Sequence, residues 1–134
     1  MNKKSRGYNN PFDAIVSGVS NLNKKKERIP GLRDEERLDG KTVLITGSSS
    51  GLGYATAVQV AERGANVIMA VRSGIPEKGE EVKRLSGNKN VEMLYVDLAD
   101  FDSIDAFLKQ VKGKEIAIDI LICNAAIVPL KSQK

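Results

Sequence analysis

Three glycines and three serines crowd into eight residues of this chain, TGSSSGLG at Thr46 to Gly53. The stretch follows a β-branched, apolar run ending at Thr46 and precedes a run whose apolar residues recur at helical spacing. A strand, a tight turn and a helix start can hold an anion. Gly47, Gly51 and Gly53 leave open the places where a Cβ would keep a diphosphate away from backbone N–H groups, and the turn out of the strand needs free φ. The orphan N–H groups of the helix's first turn, with the dipole behind them, attract the charge. Ser48, Ser49 and Ser50 add hydroxyl donors. Gly and Ser also crowd ordinary turns, so the loop points to a phosphate only in company with matching residues further along the chain.

A dinucleotide's ribose is read at the end of the second strand, about 20 residues past the glycines, where an acidic side chain would hold a 2′-hydroxyl. Val71 and Arg72 stand there, and no carboxylate is available. A guanidinium pairs with a 2′-phosphate through its planar fork, which favours NADP over NAD. Asp97, at the carboxyl end of a third apolar run, is placed either to accept from an adenine amino group or to cap backbone N–H groups. Other chemistries are closed to this chain. It contains no histidine, so Ser-His-Asp and Cys-His mechanisms are ruled out within it, and a metal site would lack zinc's commonest ligand. One cysteine, Cys123, rules out an intrachain disulfide and suits a reducing compartment such as the cytoplasm. Its apolar surroundings predict a buried, inert thiol.

The elements that must position these residues alternate. The helix from Leu52 to Arg63 ends at Gly64, and Asn66 to Val71 is a nearly continuous apolar run, as a parallel strand covered on both faces requires. Pro76 suits the first turn of a second helix, with Glu77, Glu80 and Glu81 near its start and Lys83 and Arg84 near its end. A third strand, Val91 to Val96, leads to Asp97-Leu98. Asp100 then caps a third helix with an apolar face of Phe101, Ile104, Phe107, Leu108 and Val111. A fourth strand, Ile118 to Cys123, runs into Asn124-Ala125-Ala126. Four strand–helix alternations with short connections predict right-handed βαβ crossovers. The expected fold is α/β, a Rossmann-type three-layer αβα arrangement with a parallel sheet in the order 3-2-1-4, its ligand at the carboxyl ends of the strands.

At 134 residues the chain holds one domain at most, expected over residues 38–134, with residues 1–37 as a polar and basic extension. The net charge of +4 comes mostly from that extension, densest at Lys24, Lys25, Lys26 and Arg28. Basic residues without interleaved aromatics or a helix-turn-helix pattern do not predict a nucleic-acid partner. The first ten residues lack a signal peptide's apolar core, and no run approaches the roughly 18 apolar residues of a membrane span. Phe12, Ile15, Val16, Val19 and Leu22 nevertheless recur at helical intervals just before the lysines. Such a helix could pack on the domain or a partner, remain disordered, or lie on an anionic membrane surface. Ser17, Gly18, Ser20, Asn21 and Asn23 weaken it and disfavour the membrane reading.

Taken together, TGSSSGLG, Asp97-Leu98 and the Asn-Ala-Ala at Asn124 to Ala126 resemble the cofactor half of the short-chain dehydrogenase/reductase superfamily. Leu38 to Lys41 and Ala70 to Arg72 are similar to its retinol-dehydrogenase-like branch, whose members generally use NADP. The resemblance covers roughly Leu38 to Leu130. It implies that Gly47, Ser49, Ser50, Gly51, Leu52 and Gly53 surround the diphosphate, Arg72 the 2′-phosphate, Asp97 and Leu98 the adenine, and Asn124, Ala125 and Ala126 the cofactor's ribose. It further implies hydride transfer between NADP(H) and a small alcohol or carbonyl compound. Two departures stand out. Cys123 and Ala126 replace the first Asn and the Gly of the family's Asn-Asn-Ala-Gly. The family's catalytic serine and its YxxxK pair are also missing: the fourth residues after Tyr8, Tyr54 and Tyr95 are Phe12, Val58 and Ala99. No catalytic residue is therefore assigned. The chain is expected to be the cofactor-binding part of a longer reductase or a shortened product, inactive alone, marginally stable and prone to self-association through the open edge of its fourth strand. The other two readings are a non-catalytic dinucleotide-binding module and an interaction protein that binds no cofactor.

Overall fold

The computed structural model describes residues 36–127. The amphipathic pattern from Phe12 to Leu22, the basic cluster after it and residues 128–134 lie outside the described residues. Among the described residues four strands and three helices alternate: β1 Thr42–Thr46, α1 Gly51–Glu62, β2 Asn66–Val71, α2 Glu77–Ser86, β3 Val91–Tyr95, α3 Phe101–Gly113 and β4 Ile120–Ile122. All strand pairings are parallel, in the order β3-β2-β1-β4. This is the expected Rossmann-type order, with its reversal beside β1.

Alternate residues of each strand face opposite sides of the sheet, and in β1 and β2 both sides are buried. Val43, Ile45, Val67, Met69 and Val71 pack with Ala57 and Ala61 of α1 and Val82 of α2. Leu44, Ile68, Ala70, Leu94 and Val96 pack with Phe107 and Val111 of α3. Two cores back to back through one sheet explain why the strands read as unbroken apolar runs. Each fully buried branched side chain is worth about 1.5–3 kcal/mol relative to exposure.

Local chemistry sets the helix ends. Asp100 caps α3, its carboxylate accepting the Asp102 N–H at 3.0 Å. The first turn of α2 carries Glu77 and Glu80, and its last turn carries Lys83 and Arg84, as the dipole favours. α1 stops at Glu62, and Gly64 stands just beyond it with φ of 87°.

β4 is shorter than the apolar run Ile118 to Cys123 suggested. The Asp119 carboxylate takes the Thr42 N–H at 2.8 Å and Lys41 Nζ at 3.1 Å, so regular pairing with β1 begins only at Ile120. The expectation of a buried thiol is also corrected. Cys123 is exposed, because it lies one residue beyond a strand that forms the sheet's edge among the described residues.

Candidate functional site

Where the strands end, the loop after β1, the ends of β2 and β3 and the segment after β4 surround a cleft of about 580 Å³. The loop is built by close backbone approach. Gly47 has φ of 65°, its N–H donates to the Ala70 carbonyl at 2.9 Å, and a Cβ on it would stand 2.8 Å from Ala125 Cα. Gly53 is buried beneath the loop, where a Cβ would come within 2.3 Å of Asn124 Nδ2 and 2.6 Å of the Gly47 carbonyl oxygen.

α1 opens onto this loop with its N-terminal donors unclaimed by any side chain among the described residues. Its N-cap residue Ser50 makes no side-chain capping bond, and no acidic residue occupies its first turn, whereas α2 and α3 both carry carboxylates there. The positive end of the helix dipole is thus left for an external anion.

Nine of the residues singled out in the sequence line the cleft: Gly47, Ser49, Ser50, Arg72, Asp97, Leu98, Asn124, Ala125 and Ala126. Gly51 and Leu52 lie in the first turn of α1, just outside the lining, with Leu52 exposed. Ser48 does not contribute a free hydroxyl. It is fully buried and donates to the Ile45 carbonyl at 3.0 Å, closing the turn from inside. The Asn124 amide nitrogen is likewise engaged: its Nδ2 donates to the carbonyls of Thr46 and Gly47 at 3.2 and 3.1 Å, fastening the segment after β4 to the loop.

A carboxylate also reaches the place where none was expected. Asp97 Oδ2 lies 3.9 Å from Arg72 Nη1. It comes from the neighbouring strand, so nothing in the sequence around Arg72 announced it.

Two contributors escaped the sequence reading. Thr46 Oγ1 accepts the N–H groups of Asn124 and Ala125, both at 3.1 Å, joining the ends of β1 and β4. Ser103 Oγ accepts the Asp97 N–H at 2.8 Å. The only signal for either was a hydroxyl residue at an element's end, which is common anywhere.

Behind the loop, Lys78 Nζ sits 5.2 Å from the Tyr54 ring centroid and pairs with Glu81 at 2.7 Å. The Tyr54 phenol is pushed above its ordinary value, first by burial and then by the Glu81 carboxylate. That direction opposes what a proton-transferring tyrosine needs. No tyrosine, lysine or histidine lines the cleft among the described residues.

A second hollow, about 680 Å³, lies at the amino ends of the strands. Its Lys114 pairs with Glu92 and its Asp119 with Lys41, so those charges already answer one another, and among the described residues no helix N-terminus lines it.

Residues 41–134 match the family model described as short chain dehydrogenase. The chain is 39% identical over 104 residues to dehydrogenase/reductase SDR family member 13 of Bos taurus, covering 75% of this chain and 27% of that protein. It is 40% identical over 96 residues to retinol dehydrogenase 11 of Homo sapiens, covering 69% of this chain and 30% of that protein. Among solved structures, L-sorbose reductase from Gluconobacter frateurii complexed with NADPH and L-sorbose superimposes with a TM-score of 0.61 at 33% identity, over 68% of this chain and 35% of that one. The chain thus spans about a third or less of the curated relatives it matches.

Proposed function

The chain belongs to the short chain dehydrogenase family, and from that premise we propose that its cleft binds NADP(H) in the service of hydride transfer between an alcohol and a carbonyl compound. The fit rests on the site's own geometry. The first-turn N–H groups of α1, free of acidic neighbours, meet the diphosphate, and Gly47, lacking the Cβ that would strike Ala125, lets the segment after β4 close against the loop. Ser49 and Ser50 offer hydroxyls at the same rim. Asp97 and Leu98 flank the adenine, with the Asp97 carboxylate as acceptor. Asn124, through its two carbonyl contacts, holds the segment of Ala125 and Ala126 against the loop, where the adjoining ribose would lie. The nicotinamide supplies and takes up the hydride, and the chain's described residues hold and orient the dinucleotide that carries it.

One observation carries the choice of NADP: the end of β2 presents Arg72, a guanidinium, into the same cleft as the acid-free helix end. Fluorescence titrations of NADPH and NADH against the purified chain test it. NADPH is expected to bind more tightly, and Arg72→Asp to reverse that order. Unchanged relative affinities in the variant would remove Arg72 from the 2′-phosphate, and no binding of either dinucleotide would sink the cofactor assignment.

A further inference from the structure

We propose that Asp97 is a specificity-determining residue that competes, as an internal anion, for the Arg72 guanidinium and so limits the preference for a 2′-phosphorylated dinucleotide. This rests on the reading of Arg72 as the 2′-phosphate's partner. The backbone brings the two residues together. The Val96 N–H donates to the Val71 carbonyl at 2.9 Å, so the segments that carry Arg72 and Asp97 leave adjacent parallel strands, offset by one residue.

Asp97 is held from two directions. Its N–H is tied to Ser103 Oγ at 2.8 Å in the first turns of α3, and its Oδ1 accepts the Ala99 N–H at 3.0 Å. The remaining oxygen, Oδ2, is the one facing Arg72. A sheltered anion, its side chain 28% exposed, thus stands beside a cation that is 64% exposed. At 3.9 Å the pair is electrostatic without a direct hydrogen bond, so the guanidinium keeps its donors for a better-placed anion.

An arriving 2′-phosphate must draw Arg72 from a partner already in place. A 2′-hydroxyl, carrying no charge, loses little to the same competition. Any contact between Asp97 and adenine is common to both dinucleotides and cancels in the ratio of their affinities. That ratio therefore isolates the effect on Arg72.

Asp97→Asn is the informative change, because the amide oxygen can still accept the Ala99 N–H while the charge is gone. Dissociation constants for NADPH and NADH would be measured by fluorescence titration on the full chain, its Asp97→Asn and Arg72→Gln variants, and the double variant. The expected result is a rise of roughly two- to fivefold in the Kd ratio of NADH to NADPH for Asp97→Asn, the scale of a solvated ion pair. The rise disappears when Arg72 is Gln. A ratio unchanged or lowered by Asp97→Asn, or raised equally without Arg72, overturns the competition. If Arg72→Gln itself leaves the ratio unchanged, the underlying 2′-phosphate reading fails, which is a separate result. Asp97→Ser, whose hydroxyl can also cap the turn, provides the same readout should the Asn variant not fold.

Discussion

Single atoms at the end of β1 decide whether the cleft exists. Thr46 Oγ1 serves two backbone donors, those of Asn124 and Ala125. Thr46→Val keeps the shape and removes the acceptor, at an expected cost of about 1–2 kcal/mol in a urea unfolding experiment, with weaker dinucleotide binding. Thr46→Ser restores the acceptor and should recover most of both, a rescue that a purely steric role for the methyl would not give. Gly47→Ala is expected to be harsher. It combines a positive φ of 65° with a Cβ placed 2.8 Å from backbone at Ala125, and neither atom can rotate away. A loss of about 1–3 kcal/mol and at least a tenfold weaker NADPH affinity are expected. Gly47 was legible in the sequence because a glycine-rich turn before a helix has a specific use for backbone without Cβ. Thr46 and Ser103 were not, since a hydroxyl's partner is chosen by segments far away in the chain. The pairing of Arg72 with Asp97 was hidden for the same reason, although each residue was singled out alone.

Elements were easier to read than their edges. Both faces of β1 and β2 are buried, which forces continuous apolar runs, and the caps at Asp100 and Gly64 act through local chemistry that adjacent residues reveal. β4 was overread because IDILIC is apolar, while Asp119 within it uses its side chain to tie down the start of β1. That tie has a consequence for pH. The Asp119 carboxyl is held below its ordinary value, first by the Thr42 N–H and then by Lys41. A lowered folded-state value means that ionised Asp119 stabilises the fold above the unfolded carboxyl's titration range. The contribution is lost as the pH falls through the folded value. Asp119→Asn should therefore melt at a lower temperature than the parent at neutral pH, and the gap should narrow progressively as the pH falls below about 4. A gap independent of pH would mean that the carboxylate's charge plays no part in holding β4.

Across the whole described domain, the two cores are unequally enclosed, and neighbouring residues of β1 sample both. Ile45 is fully buried where α1 and α2 close over the sheet. Leu44, equally central in sequence, faces the side covered by α3 among the described residues, and its register partner Leu121 on the same face is 60% exposed. A cavity left at Ile45 lies beneath two helices, whereas one at Leu44 lies nearer to water and to side chains with room to settle. Ile45→Ala is therefore expected to cost about 3–5 kcal/mol and Leu44→Ala about 2–3 kcal/mol. Against the roughly 5–15 kcal/mol that holds a domain together, the first approaches the whole margin. Urea unfolding followed by circular dichroism measures both, and equal losses would show the faces to be equally enclosed. Because neither Ile45 nor Leu44 lines the cleft, NADPH should retain its affinity for the folded form of both variants. At a hundredfold excess over Kd it would then return about 2.7 kcal/mol to each, the same as is expected for the parent chain. A smaller return in Ile45→Ala alone would mean that the packing beneath β1 also sets the shape of the loop after it.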